Sequence, residues 1–203
     1  MIKNIVFDMG NVLILYDANR YIETYCKGDE KDKKLLLEEV FQSVEWVSTD
    51  RGTMTDEQAV ASICKRIPKR LHETVTQMFY HWHEDIPKFP KMEAVILRLK
   101  RAGYRIYLLS NTCKNYHTFR INIPAISQFD GEFISADWHL LKPGEEIFRT
   151  FCSHFGLVPA ECFFVDDLPA NVEGATFIGM QGHIFRRDVE ALERALKEAG
   201  ISF

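Results

Sequence analysis

Apolar residues recur along this chain with two spacings, and the switches between them mark its elements. Asn4 to Phe7 is a short apolar run that ends on Asp8-Met9-Gly10-Asn11. A run of this length bounded by turn residues predicts a buried strand. From about 17 to 86 the spacing becomes helical. Asp17 is placed to cap a helix with Tyr21, Ile22 and Tyr25 on one face, and a second helix carries Leu36, Leu37, Val40 and Phe41. Thr55 and Gln58 have capping-box spacing ahead of Ala59, Val60 and Ile63, and a fourth helix shows Val75, Met78, Phe79 and Trp82. No strand is predicted in this stretch.

Beyond Pro87 and Pro90 the two spacings alternate. Met92, Val95, Ile96 and Leu99 form a helical stripe closed by Gly103, and Tyr104 to Leu109 is a strand running into Ser110-Asn111-Thr112. Glu132 to Ile134 reads as a short strand. Ile147, Phe148, Phe151 and Phe155 mark a helix ending at Gly156. Cys162 to Val165 is a strand ending on Asp166-Asp167, Val172 to Phe177 a helix, Met180 to Phe185 a strand, and Val189, Leu192 and Leu196 a last helix. Alternation of this kind predicts an α/β fold, a Rossmann-like parallel sheet with helices on both faces. Such sheets bind ligands beyond the carboxyl ends of their strands, where strand order reverses. Three predicted strand ends carry Asp8, Ser110 and Asp166-Asp167. The helical block follows the first of these ends directly and is placed to close over it.

Composition narrows the class. The 203 residues are 46% hydrophobic and 27% charged, enough apolar material for a core without crosslinks. The net charge of -4 argues against nucleic acid as partner. Five cysteines, Cys26, Cys64, Cys113, Cys152 and Cys162, include no CxxC pair and read as buried apolar side chains in a reducing compartment. No stretch approaches the ~20 apolar residues of a membrane span, so the expectation is a cytoplasmic protein without a membrane partner.

The residues at the strand ends suggest chemistry. Asp8 suits either a turn cap or a reactive carboxylate. Adjacent carboxylates such as Asp166 and Asp167 repel unless something favours their charge, and Mg2+, which prefers oxygen ligands, would do so; the alternative is a helix cap beside an exposed acid. Ser110, Asn111 and Thr112 offer hydroxyl, amide and backbone donors that suit a phosphate. Lys142, ahead of Pro143-Gly144, is either a surface charge or a phosphate ligand. Together a cation, a lysine, fixed donors and a nucleophilic carboxylate supply what phosphoryl transfer needs.

The order F-D-M-G-N-V, L-L-S-N-T, L-K-P and F-F-V-D-D-L-P-A-N-V-E-G-A resembles the four motifs of the haloacid dehalogenase superfamily. The resemblance spans the whole chain and implies a core of residues 1–14 and 89–203 with a helical cap at 15–88. It implies Asp8 as nucleophile, forming an aspartyl-phosphate, and Ser110 and Asn111 as phosphate ligands. It further implies Lys142 as stabiliser of both phosphate and Asp8. Magnesium would be held by Asp8, the Gly10 carbonyl and Asp167, with Asp166 as the accompanying acid and Asn171 where a further carboxylate is usual. The D-x-G-N-V opening, Arg51 to Thr55 and the pattern around Trp82 resemble a sugar-phosphatase subgroup of the glucose-1-phosphatase type. The implied substrate is a small phosphorylated metabolite such as a sugar 1-phosphate.

One position departs from that pattern. Gly10 stands where the family has the aspartate that protonates the leaving group. His117 and His139, near the second and third motifs, are the residues that sequence offers as replacements. Trp46, Arg51 and Trp82 are candidate substrate contacts from the cap, with core packing or solvent exposure as the alternatives. His81 and His83 are two apart on a helix and cannot share a face. A metal-independent dehalogenase and a phosphate-binding domain without turnover remain the competing readings.

Overall fold

The computed structural model describes residues 1–84 and 86–203; Asp85, inside the predicted 17–86 helical stretch, lies outside them. Five parallel strands form one sheet: β1 (Asn4–Phe7), β2 (Arg105–Ser110), β3 (Gly131–Ile134), β4 (Cys162–Asp166) and β5 (Gln181–Ile184), in the order β3-β2-β1-β4-β5. The chain leaves β1 for β2 and β3 on one side and returns for β4 and β5 on the other. The reversal of order therefore falls at β1, and the crevice of such a sheet opens at its carboxyl end. Register places Phe7 opposite both Leu108 and Val165, so the residues that follow these strands emerge together.

Strand residues alternate between two apolar layers, as a pleated sheet requires. Ile5, Phe7, Ile106, Leu108, Phe163 and Val165 pack with the stripes of α6 (Pro90–Arg101) and α11 (Val189–Glu198). Val6, Tyr107, Leu109 and Phe164 face the other way, onto α9 (Glu145–Phe155) and α10 (Pro169–Phe177). Both faces are thus covered by helices, as the sequence predicts.

Between β1 and α6 the chain forms α1 (Ala18–Tyr25), α2 (Glu30–Leu36), α3 (Val44–Asp50), α4 (Asp56–Ile63) and α5 (His72–His81). Asp17 caps α1 by accepting from Asn19 and Arg20 N–H, and Thr55 and Gln58 close the capping box of α4. The helix expected across Leu36 to Phe41 is instead an α-helix that ends at Leu36 and widens into a π turn at Leu37–Phe41. The sequence reading did not single out α3, whose apolar stripe is short, although Ser43 caps it. The two chain crossings into this block lie side by side. Leu15 N–H donates to the Pro87 carbonyl at 2.7 Å and Phe89 N–H to that of Leu13 at 3.1 Å. Short helices α7 (Tyr116–Phe119) and α8 (Ser135–Trp138) follow β2 and β3. No described helix is long and apolar enough to cross a membrane.

Candidate active site

A cavity of about 370 Å³ opens at the carboxyl end of the sheet. Its floor is Asp8, Gly10, Asn11, Ser110, Asn111, Thr112, Lys142 and Asp167. Its walls are Ile14, Tyr16, Phe41, Trp46, Asp50 and Trp82. The ends of β1, β2 and β4 therefore deliver their polar residues to one place.

Lys142 organises the floor. Its ammonium donates to Asp8 Oδ1 at 2.8 Å, to Asp166 Oδ2 at 2.6 Å and to the Leu109 carbonyl at 2.9 Å. The side chain is almost fully buried. Burial works against its charge, yet Asp8 and Asp166 outweigh burial and raise its pKa above 10.5. The surface-charge reading of Lys142 is thereby excluded. Asn111 spends its side chain on the same segment: its Nδ2 donates to the Lys142 carbonyl, and its Oδ1 accepts from Lys142 N–H, both at 2.9 Å. Asn111 thus holds the lysine in place, and only its backbone N–H is left for a phosphate. Gly174 on α10 completes the support, because a Cβ there would lie 2.5 Å from the Pro143 carbonyl oxygen.

The acids divide between two environments. Asp166 has no solvent exposure and is saturated by Lys142, by Leu168 N–H at 2.8 Å and by Asn171 Nδ2 at 3.0 Å to each oxygen. Asn171, where a further carboxylate is usual, is instead a donor that relieves the crowding of negative charge. Asp167 lines the cavity, and its Oδ2 accepts from Asn11 Nδ2 at 3.1 Å. Asn11 adopts φ 55, a left-handed conformation that asparagine tolerates, and Arg187 holds its Oδ1 at 2.8 Å. Burial, then the charge of Asp166, raises the pKa of Asp167. Burial also lifts Asp8 from 3.8 to about 6, with Lys142 pulling the other way.

Oxygens of Asp8, Asp166 and Asp167 all lie within 4.8 Å of one another. Three converging carboxylates answered by one ammonium fit a hard divalent cation. Asp166 already accepts from Lys142, Leu168 and Asn171, whereas Asp8 and Asp167 line the cavity.

Residues 2–179 match the profile of a hydrolase family described as haloacid dehalogenase-like hydrolase. The chain belongs to that family. Among curated relatives, a D-ribitol-5-phosphate phosphatase from Bacteroides thetaiotaomicron is 26% identical over 196 residues, covering 89% of this chain and 90% of that protein. A HAD family enzyme from the same organism, solved with magnesium and inorganic phosphate, superposes with a TM-score of 0.72 at 23% identity, over 90% of this chain and 93% of that one. An L-2-haloacid dehalogenase from Xanthobacter autotrophicus reaches 0.65 at 18% identity, over 100% and 85%. The fold is therefore shared with a HAD family enzyme solved with magnesium and phosphate and with a haloacid dehalogenase.

Among the cap candidates, Trp46 and Trp82 are largely buried and belong to an aromatic cluster with Tyr16, Phe41, Phe79 and Phe119, yet both reach the cavity wall. Packing and lining thus fall to the same side chains. Arg51 does not line the cavity. The α3 helix ends at Asp50, the chain turns at Gly52, and Arg51 is left exposed with its carbonyl facing His139 Nδ1 at 3.2 Å. Its neighbour Asp50 faces the cavity instead, and sequence reasoning missed it because no motif marks it. The two histidines offered as acids are also misplaced: His117 pairs with Asp137 at 2.9 Å on the surface, and neither His117 nor His139 lines the cavity.

Proposed function

We propose that this chain is a magnesium-dependent phosphatase that hydrolyses a small phosphomonoester through an aspartyl-phosphate on Asp8. The observation that carries this reading is the Lys142 ammonium, buried between Asp8 and Asp166 beneath a cavity onto which Asp167 and Ser110 also open. Lys142 neutralises Asp8 through Oδ1. Asp8 attacks phosphorus, and Ser110 with the backbone donors that follow it holds the phosphate oxygens against Lys142. Asp8, Asp167 and the Gly10 carbonyl would hold the cation, which when bound supplies further neutralisation of the phosphate. Relatives that release or bind phosphate support the assignment. A metal-independent dehalogenase would leave Asp167, facing the cavity, without a task.

Residues 15–88 act as the cap domain over a core of 1–14 and 89–203. Five of the cavity walls come from them or their edge: Tyr16, Phe41, Trp46, Asp50 and Trp82. These aromatic surfaces suit a compact neutral organic group, a sugar or polyol, and a sugar 1-phosphate is one such substrate. Lys142 is the only cationic side chain lining the cavity among the described residues, and Asp8 and Asp166 already hold it. A second phosphate on the substrate would find no counter-charge. The test is release of inorganic phosphate from sugar, polyol and nucleotide phosphates, with magnesium and with chelator. Magnesium-dependent turnover of monophosphorylated sugars or polyols, above nucleoside di- and triphosphates, is expected. Failure to release phosphate from any ester overturns the reading.

A further inference from the structure

We propose that Asp50, carried on the end of α3, is the general acid that protonates the leaving oxygen, in place of the carboxylate missing at Gly10. The inference rests on the phosphatase reading above. Gly10 lines the cavity without a side chain, and crowding does not dictate this. A Cβ there would meet only Tyr16 Cβ at 3.7 Å and Asp8 Oδ2 at 3.9 Å, ordinary contacts. The reaction still needs a proton for an alcohol leaving group, and the acid must come from elsewhere on the cavity wall.

Three carboxylic acids line that cavity: Asp8, Asp167 and Asp50. Asp8 is the nucleophile and Asp167 belongs to the cation cluster. Asp50 lies outside that cluster, on the wall contributed by the helical insert, where the organic part of the substrate must sit. Among the described residues no donor hydrogen-bonds its carboxyl, in contrast to Asp166 and Asp167. An unpaired carboxyl on the wall of an enclosed site has no structural task to explain it.

The backbone beneath Asp50 is anchored firmly. Ser135 at the start of α8 donates its hydroxyl to the Asp50 carbonyl at 2.5 Å, and Ser135 Oγ in turn accepts from Thr112 N–H at 2.9 Å. One hydroxyl therefore ties Asp50 to the loop after β2 that carries Ser110. Gly52 (φ +74) presses the turn after α3 onto α8 so closely that a Cβ would lie 2.1 Å from the Ala136 carbonyl oxygen. Arg51 carbonyl facing His139 adds a third tie. An acid must be held within reach of its target to act, and these contacts hold it.

The protonation state agrees. Burial, followed by the charges of Asp56 and Asp8, pushes Asp50 from 3.8 up to about 7. Tyr16 is the other protic side chain on the wall, but burial and the nearby Asp50 carboxylate drive its phenol well above 10, a poorer proton source.

An Asp8 oxygen bonds to phosphorus as the ester P–O bond breaks; the leaving oxygen keeps that electron pair and takes the Asp50 proton. Asp50, now a carboxylate, accepts a proton from the water that adds to phosphorus. The P–O bond to Asp8 then breaks, its pair returns to Asp8, and inorganic phosphate leaves with Asp50 protonated again.

The experiment compares Asp50→Asn and Asp50→Ala with the unsubstituted protein on an alkyl phosphate and on 4-nitrophenyl phosphate, whose leaving group needs no proton. The readout is kcat/KM, which reports the steps up to phosphate transfer. Loss of the acid should lower the alkyl value by ~10²- to 10⁴-fold and the nitrophenyl value by far less. The ratio of the two is independent of how much of a variant is folded, because the same active molecules turn over both. A ratio unchanged in both variants overturns the role of Asp50 alone, as does a changed ratio in Tyr16→Phe but not in Asp50→Asn. An unsubstituted protein inactive on both esters overturns the phosphatase reading and the role of Asp50 with it.

Discussion

Replacing Asp8, the proposed nucleophile, should stabilise this protein while silencing it. Burial holds Asp8 at about 6 in the folded chain, against 3.8 when exposed, and the Asp166 charge adds to that while Lys142 opposes it. An acid whose folded pKa lies above its unfolded one favours the folded state fully below pH 3.8 and loses that advantage as pH rises through about 6. At ~1.4 kcal/mol per pKa unit, the ionised Asp8 costs the cation-free protein about 3 kcal/mol at neutral pH. Asp8→Asn removes the charge at every pH and keeps an oxygen for Lys142, which stays paired with Asp166 at 2.6 Å. The variant should therefore match the unsubstituted protein in acid and exceed it at neutral pH, with Tm higher by up to about 6–12 °C for a chain of this size. Thermal melts in chelator across this range measure the gap directly. Magnesium should narrow it, because the cation compensates the carboxylate that the variant lacks. A gap that does not grow with pH, or a variant less stable at neutral pH, refutes this account of the floor electrostatics. Residual turnover refutes Asp8 as nucleophile.

Other perturbations separate the remaining roles. Asp167→Ala should shift the magnesium dependence of activity to higher concentration. Asp166→Ala should instead lower the unfolding free energy in chelator by about 3 kcal/mol, since it strips partners from buried Lys142 and Asn171; equal shifts in magnesium dependence would mean the two acids are misassigned. Gly52→Ala, at φ +74 with its new Cβ against the Ala136 carbonyl, should destabilise the fold by about 1–3 kcal/mol. It should also reduce activity on alkyl esters more than on aryl esters, as Asp50 moves with the turn; a variant of unchanged stability would contradict the close approach.

The strands were legible in the chain because each is a short apolar run bounded by turn residues, and the parallel sheet followed from their alternation with helical stripes. The gathering of Asp8, Ser110, Lys142 and Asp167 was also legible, since each follows a strand or opens a helix beside the same sheet edge. Helix α3 was harder: it buries Trp46 and Thr49 while Val44 and Val47 stay exposed, so its apolar stripe is broken. Tertiary structure alone decided the roles that depend on direction. Asp166 and Asp167 are neighbours in sequence, but successive residues at a strand end point apart, so one meets Lys142 and the other the cavity. Arg51 and Asp50 differ in the same way, because the turn at Gly52 sends one side chain to solvent and the other inward. Asn111 carries the donors of a phosphate ligand, yet it faces the Lys142 backbone across a gap of thirty-one residues in sequence. Sequence spacing records which residues reach a sheet edge; only the packing of distant segments fixes which atoms meet there.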